Sequence, residues 1–404
     1  NMRVLLIDVN CKYSSTGKIV YDLFKYMNAS GESAAVCYGR GESIDEEGIF
    51  KFGIDYETKL HALLTRITGL TGCFSYFSTR RLIKYIEVFK PDVVHIHELH
   101  AYFVNLKPLI NYLKKKQIPI VWTFHCEFMY TGKCGVAYEC KRYTIGCGNC
   151  PQLRAYPKTI FFDFTHYMWR QKRDLLHDYQ KLIIATPSQW LANRTKLSFL
   201  GKNDIRIIHN GIDTSVFKPC ASREDIQKEY RLKENRIVLS VASHITTDPN
   251  KGAKFIYKLA NELINDDVHF ILVGSDEQEI INHKNVTIVP TIKDQHQLAR
   301  IYSGADAFLI CSEKENFPTT SMEAQCCGTT VCGFDVGGVR ETIASDAYLC
   351  EYGDIDKLKE NLLKALKVDY DSTDALNKFG KVKMLNEYFD LYTQILGNGE
   401  GNAE

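Results

Sequence analysis

The amino-acid sequence predicts an α/β protein built from two doubly wound domains that face each other across a cleft. Three observations carry this expectation. Short apolar runs of strand character alternate with helical patterns, the pattern of parallel sheets covered by helices. The alternation occurs twice, on either side of a turn-rich break near 209–222. The length of 404 residues suits two domains better than one.

In the first half the strand-like runs fall at 3–9, 33–38, 92–97, 118–124, 182–187 and 205–208. Helical patterns intervene at 17–28, 103–116 and 163–180, and residues 57–90 read as one long helical region. The break is the run His209-Asn210-Gly211-Ile212-Asp213, closed by Phe217-Lys218-Pro219, with a charged helix after it at 222–231. In the second half strands are expected at 236–242, 268–274, 285–289, 306–310 and 329–334. Helices are expected near 252–265, 294–303 and 319–327. The tail reads as helix from about 376 to 396, then as a polar, frayed end at 397–404. The expected organisation is a Rossmann-like domain at 1–215 with a cysteine-rich insert at 130–152, a second at 216–375, and a C-terminal helix and tail at 376–404 that packs back on the first domain.

A composition of 45% hydrophobic and 25% charged residues is that of an ordinary globular protein. No apolar run approaches the roughly 18 residues needed to span a bilayer. The chain opens on the strand-like Arg3-Val4-Leu5-Leu6-Ile7 with no charged-then-apolar leader, so a cytoplasmic location is expected. Ten of the fourteen cysteines are scattered, mostly in apolar surroundings, as reduced core cysteines would be.

Net charge is +1 but unevenly placed. Residues 1–215 hold 29 Lys and Arg against 19 Asp and Glu, and the remainder holds 21 against 30. A basic first half fits an anionic partner such as a lipid phosphate or the inner face of a membrane, with ordinary solvated faces as the plain alternative. Nucleic acid is not expected, because no compact basic stripe with interleaved aromatics occurs. The 57–90 region carries Arg66, Arg80, Arg81, Lys84 and Lys90 among apolar residues. Such a helix can lie on an anionic membrane or simply pack on its own domain.

The strongest chemical signal is the segment Ser312 to Ala324, between the strand Ala307-Phe308-Leu309-Ile310 and a helix. A loop that leaves a parallel strand and opens a helix is where such sheets bind ligands. Pro318 suits a helix start, and free amides there can hold a phosphate. Glu315 and Glu323, seven residues apart in the intervening chain, can face one ligand at two depths, and carboxylates bind hydroxyl pairs. A capped helix with solvated acids is the plain alternative.

This segment closely resembles the E-x7-E signature of glycosyltransferase family 4, retaining enzymes of the GT-B fold. Cys327-Gly328-Thr329-Thr330-Val331 and Gly337-Gly338-Val339-Arg340-Glu341 resemble the turn, strand and glycine-pair loop that follow it. The resemblance implies that Glu315 contacts the donor sugar and Glu323 the nucleotide ribose. It makes Asn316, Phe317, Pro318 and Thr319 the donor-binding loop. Lys251, in Asp248-Pro249-Asn250-Lys251-Gly252, would neutralise the diphosphate. The family's companion Arg is missing, with Ser243-His244 about where it would stand. Gly274 would permit close backbone approach to the donor.

Tyr13-Ser14-Ser15-Thr16-Gly17-Lys18-Ile19 superficially looks like a phosphate-binding loop, but Lys12 stands in place of its first Gly and Ile19 in place of its Ser/Thr. It resembles the family's small-residue first loop, which makes Gly17 a donor-side residue. Asp92-Val93-Val94-His95-Ile96-His97-Glu98-Leu99-His100 ends a strand with three histidines. His95 alternates with the strand and suits the core. His97 and His100 fall at the strand's end and resemble the family's acceptor side. His125, closing Val121-Trp122-Thr123-Phe124-His125, matches the family histidine that contacts the donor sugar, but Cys126 stands where the family has Asp.

Cys134, Cys140, Cys147 and Cys150 form a C-x5-C-x6-C-x2-C cluster. The spacing suits a closed structural zinc site, with a disulfide pair or four free thiols as alternatives. A similar segment ending in Cys-Pro occurs in a polysaccharide-assembly branch of the family.

The expected function is therefore a retaining, metal-independent hexosyltransferase. It would use a UDP- or GDP-sugar and a glycan or lipid-linked acceptor, with no cofactor required for catalysis. An epimerase or hydrolase of the same fold is the nearest rival. A non-catalytic nucleotide-binding protein is the other, disfavoured because G-x-G-x-x-G follows neither first strand.

Overall fold

The structure is a computed structural model and describes residues 1–275 and 283–400. The chain divides into two compact units, one of Asn1–His209 with the segment from Leu385 onward, the other of Asn210–Met384.

The first unit runs β1 (Arg3–Asp8), α1 (Ser14–Ala29), β2 (Ser33–Tyr38), β3 (Ile49–Lys51), α2 (Asp55–Thr68), α3 (Tyr76–Phe89), β4 (Val93–Ile96), α4 (Leu106–Lys115), β5 (Ile120–Thr123), α5 (Thr165–Leu176), β6 (Leu182–Thr186), α6 (Gln189–Lys196) and β7 (Asp204–Ile207). The seven strands form one sheet in the order β3-β2-β1-β4-β5-β6-β7, every pair parallel. Helices cover both faces, so Val4, Leu5, Leu6 and Ile7 are all fully buried and β1 reads as a continuous apolar run. The region expected as one long helix is two. Gly69 ends α2 in the left-handed conformation at φ 79°, and α3 starts only after Ser75. β3, three half-buried residues, is too short to leave a periodic signal.

The second unit runs α7 (Arg223–Tyr230), β8 (Arg236–Val241), α8 (Ala253–Glu262), β9 (Val268–Ser275), β10 (Val286–Pro290), α9 (Gln295–Gly304), β11 (Ala307–Ile310), α10 (Thr319–Cys326), β12 (Thr330–Phe334), β13 (Tyr348–Cys350), α11 (Ile355–Ala365) and α12 (Thr373–Phe379). Its six strands lie in the order β10-β9-β8-β11-β12-β13, again all parallel. A capping box starts α7, with Ser222 and Asp225 each bonding the other's backbone amide.

The tail is also two helices, α12 and α13 (Lys381–Glu400). Gly380 separates them where the backbone of Ile212 bridges it. The polar end was expected to fray from 397. α13 continues to Glu400, and 401–404 lie outside the described residues. Tyr388 and Tyr392 of α13 are fully buried in the first unit, where their hydroxyls bond Thr123 (2.8 Å) and His95 (2.5 Å). Among the described residues no helix is long and apolar enough to cross a membrane.

In each sheet the strand order reverses once, between β1 and β4 and between β8 and β11. Ligands of open parallel sheets bind beyond the carboxyl ends of the strands at such a switch point. Both groups of candidate residues fall there.

Candidate active site

In the second unit, β8 and β11 end side by side and their loops are laced together. The Glu313 amide donates to the Asn250 carbonyl at 2.8 Å, and the Lys314 amide to the Asn250 side-chain oxygen at 3.1 Å. Asp248 caps the short turn Pro249–Lys251 by accepting from the Asn250 amide. Gly252 follows with φ 73°, and a Cβ there would lie 2.0 Å from the Cys311 carbonyl, so only glycine lets the loops meet.

This lacing brings Lys251 to Glu315. The ammonium donates to Glu315 Oε1 at 2.8 Å, and Ser312 Oγ donates to the same oxygen at 2.7 Å. Both charged side chains are about one-fifth exposed, at 20% and 18%. Burial works against the Lys251 charge, but the Glu315 carboxylate outweighs it and holds the ammonium above its ordinary range. On the other side of Glu315, the Gly338 amide donates to its carbonyl at 2.9 Å. A Cβ on Gly337 would lie 1.8 Å from that carbonyl, so the glycine-pair loop buttresses the Glu315 backbone.

Pro318 is the residue before α10, whose first-turn amides begin at Thr319. The Phe317 ring is buried in the unit's core, so what this position offers a ligand is its backbone. Glu323, one turn into α10, accepts a hydrogen bond from the Tyr302 hydroxyl at 2.9 Å. Gly274 has φ 119°, and its tight approach is to the Ala242 carbonyl, 1.9 Å from where a Cβ would stand. His244 is exposed in a left-handed turn at φ 55°. Arg340 is held by Asp335, with Nε and Nη2 at 2.8 and 2.6 Å from one carboxylate oxygen.

In the first unit, the ends of β1, β4 and β5 bring the histidines together around an acid that the sequence pattern did not single out. Glu98 is 7% exposed and uses both carboxylate oxygens. Oε1 accepts from the His125 amide at 3.1 Å, while Oε2 accepts from the Cys126 thiol at 3.1 Å and pairs with His100 Nε2 at 2.8 Å. Burial alone would raise the Glu98 pKa, but His100 and the other donors bring it down to about 2. Burial would lower that of His100, and Glu98 raises it instead. The Glu98 amide donates to Asp8, itself fully buried, accepting from Thr16, and pushed up to about 7 chiefly by burial.

His125 Nε2 lies 3.0 Å from His97 Nδ1, with the rings stacked at 13°. Burial drives His95, His97 and His125 toward the neutral form. His95 is a satisfied core residue between Tyr392 and Thr123. The sequence placed Cys126 where an Asp was expected. The Cys126 thiol donates to Glu98 instead. Gly17 is buried at the start of α1, where a Cβ would lie 2.2 Å from Asn10 Oδ1, and its carbonyl closes the 12–17 turn onto the Lys12 amide at 3.0 Å.

The cysteine segment is anchored by buried charges. Glu127 pairs with Arg194 and accepts from Tyr130 and the Ala137 amide at 2.6 Å each. The Lys172 ammonium donates to the carbonyls of Phe128 (2.5 Å) and Thr131 (3.0 Å). Cys134 beside Cys150 holds the Cys150 thiol below its ordinary range, and Cys147 Sγ accepts from the Gly132 amide at 3.2 Å. Among the described residues, the three potential ligand atoms that lie within 4.8 Å of one another belong to Glu98, His100 and Cys126, not to the cysteine quartet. A zinc site at Cys134, Cys140, Cys147 and Cys150 therefore rests on their spacing alone.

Two family models match the chain in tandem. Glycosyltransferase Family 4 covers residues 16–216, and Glycosyl transferases group 1 covers 222–383. A putative colanic acid biosynthesis glycosyl transferase, WcaC of Escherichia coli (strain K12), is 24% identical over 362 residues, 85% of each chain. Among solved structures, a sucrose-phosphate synthase from Thermosynechococcus elongatus superimposes with a TM-score of 0.68 at 14% identity, over 98% of this chain and 100% of that one. Anabaena HepE in complex with UDP and glucose does so with a TM-score of 0.65 at 14% identity, over 98% and 100%. The structural likeness shows the fold, two Rossmann-like units of GT-B type. With both halves matched by the two models of that architecture, in order and almost end to end, the chain belongs to the family 4 type of glycosyltransferases.

Proposed function

We propose that this glycosyltransferase moves a hexose from a UDP- or GDP-sugar to a glycan or lipid-linked acceptor, with retention of anomeric configuration, in surface polysaccharide assembly at the cytoplasmic face of a membrane. The observation that carries the reading is the Lys251–Glu315–Ser312 group at the switch point of the second sheet, beside the start of α10. It sets a cation and helix-start amides for a diphosphate next to a carboxylate for sugar hydroxyls. Glu323, one turn further on, takes the ribose. HepE, a protein of the same fold, was solved with UDP and glucose, which supports a nucleotide-sugar donor. The WcaC name supports polysaccharide assembly.

Departure of the diphosphate leaves oxocarbenium character on the sugar. Lys251 and the amides from Asn316 to Thr319 stabilise the charge that develops on the leaving phosphates. The acceptor hydroxyl attacks from the face the diphosphate leaves, and a phosphate oxygen takes its proton, so no protein nucleophile and no metal ion is required. In the first unit, His97 and Glu98 fix the position of His125, the candidate sugar contact, and burial keeps its imidazole neutral. A thermal-stabilisation screen of UDP- and GDP-sugars, followed by product mass and anomeric NMR with a lipid-linked acceptor, tests the reading. Failure of every nucleotide sugar to raise the melting temperature would overturn it, and an inverted product would overturn the stereochemistry.

A further inference from the structure

Helix α2 is packed inside out. The residues it buries are Thr58, His61 and Thr65. The residues it exposes include Tyr56 at 85%, Leu60 at 53%, Leu63 at 52% and Ile67 at 40%. These four sit at i, i+4, i+7 and i+11, a single stripe along the helix. A soluble helix gains stability by the opposite arrangement, since each apolar side chain left in water forgoes its transfer free energy. The inward polar face is built in: His61 Nδ1 bonds Ser75 Oγ at 2.8 Å, and Thr65 Oγ1 donates to the Leu70 carbonyl at 3.0 Å.

Two other segments with exposed apolar side chains are bonded to the ends of α2. At the first turn of α2, Glu57 accepts from the amides of Phe77 and Ser78 at 2.7 Å each, which fixes the start of α3 there with Tyr76 and Phe77 more than 60% exposed. At the last turn, the Ile160 amide donates to the Arg66 carbonyl at 2.8 Å. The Phe162 carbonyl lies 2.6 Å from where a Gly69 Cβ would stand. That loop presents Ile160, Phe161 and Phe162, all about half exposed or more. The 14 residues of α2 give the face a length of about 21 Å.

We infer that this face of the first unit is a docking surface for an anionic lipid bilayer, with the stripe and the 160–162 loop inserted into the headgroup–acyl boundary. The charge around it is complementary to such a surface. Residues 55–90 and 154–170 together hold nine Lys and Arg against four Asp and Glu. Lys59, Arg66 and Lys158 are exposed on the same segments. An apolar stripe rich in Tyr, Phe and Leu, flanked by Lys and Arg, is the composition of an interfacial helix. The inference builds on the membrane-linked acceptor proposed above and locates the surface by which the enzyme would reach it.

The test is co-sedimentation of the full chain with vesicles of phosphatidylcholine alone and of phosphatidylcholine mixed with phosphatidylglycerol. Binding to the mixed vesicles is expected, weakening with salt. Leu60→Glu combined with Leu63→Glu should reduce it by roughly ten-fold or more. A Phe161→Trp variant should show a blue-shifted emission on those vesicles. All three positions are exposed, so folding is not at stake, and turnover of a water-soluble acceptor analogue should persist in both variants. Wild-type binding by the double variant, absence of binding to mixed vesicles, or a wild-type dimer that the double variant dissolves would each overturn the inference. The last would make the stripe an interface between two copies. Loss of turnover on every acceptor would instead strike the proposed transfer, not the docking face.

Discussion

Replacing Glu315 by Gln should separate nucleotide binding from turnover, in opposite directions. In the free protein the Lys251 ammonium is already engaged, 2.8 Å from Glu315 Oε1. Two unit charges at that distance attract by about 3 kcal/mol at an effective dielectric constant of about 40. A diphosphate that recruits Lys251 must therefore share it with a carboxylate. A phosphate oxygen on the far side of the ammonium lies roughly 5–6 Å from that carboxylate. Like charges at that range repel by about 1–2 kcal/mol at a dielectric constant of about 40, suited to a partly exposed pair. The amide of Gln keeps the shape and the bond from Ser312 but removes the repulsion. Free UDP or GDP should then bind roughly ten-fold tighter to the variant. Turnover should move the other way, by roughly 10²-fold, because the proposed contact to the sugar is weakened where charge develops. Isothermal titration with the free nucleotides and initial rates with the preferred donor give the two numbers. If nucleotide affinity and turnover fall together, Glu315 is a nucleotide-holding group and its assignment to the sugar is wrong.

Lys251→Met should lower kcat/KM by roughly 10²–10³-fold and weaken free UDP or GDP, measured on the same assays. Glu323→Gln should weaken nucleoside-diphosphate binding by about 1–3 kcal/mol while leaving the fold intact, read as a smaller melting-temperature shift on adding UDP or GDP. Glu98 should stabilise the first unit in a pH-dependent way. Its carboxyl is held at about 2 against an ordinary 4.5, so its contribution is present above the ordinary value and is lost as pH falls from 4.5 through 2. The shift corresponds to about 3 kcal/mol, so Glu98→Gln should cost stability of that order near pH 7 in urea unfolding, with the gap closing at low pH. Turnover should survive dialysis against EDTA, and its loss with an unchanged melting temperature would put a metal ion into the reaction.

The proposed donor side was legible because its information is local. Glu315, the helix-start loop and Glu323 lie within one strand–loop–helix passage, and the order of residue types there carries the resemblance. Even so, the ion pair between Lys251 and Glu315 joins positions 64 apart, and periodicity cannot report that the β8 and β11 loops are laced through Asn250. The proposed acceptor side was only half legible. The three histidines near β4 stood out, but Glu98, which pairs with His100 and accepts from the His125 amide, looked like one more polar residue at a strand end. Its importance comes from burial and from neighbours contributed by β1 and β5, neither of which a linear pattern contains. The same holds for Asp8, an ordinary last residue of a strand until the fold removes its water.

Helix α2 marks the boundary of such reading more sharply. A period of 3.6 residues says which side chains share a face, as Tyr56, Leu60, Leu63 and Ile67 do here. What it cannot say is which face turns inward, because it contains no partner. The usual inference, apolar side in, fails here because the structure spends the polar side on internal hydrogen bonds: His61 to Ser75, Thr65 to the Leu70 carbonyl. Ser75 stands in the break that ended the expected long helix, one residue before α3 begins. The break and the inversion are thus one feature. The segment between Gly69 and Ser75 leaves α2 and returns beneath it, supplying the hydrogen-bonding groups that let Thr65 and His61 be buried. His61 Nδ1 and Thr65 Oγ1 thus hold the polar side of α2 inward, and the apolar stripe is left facing out, toward the bilayer inferred above.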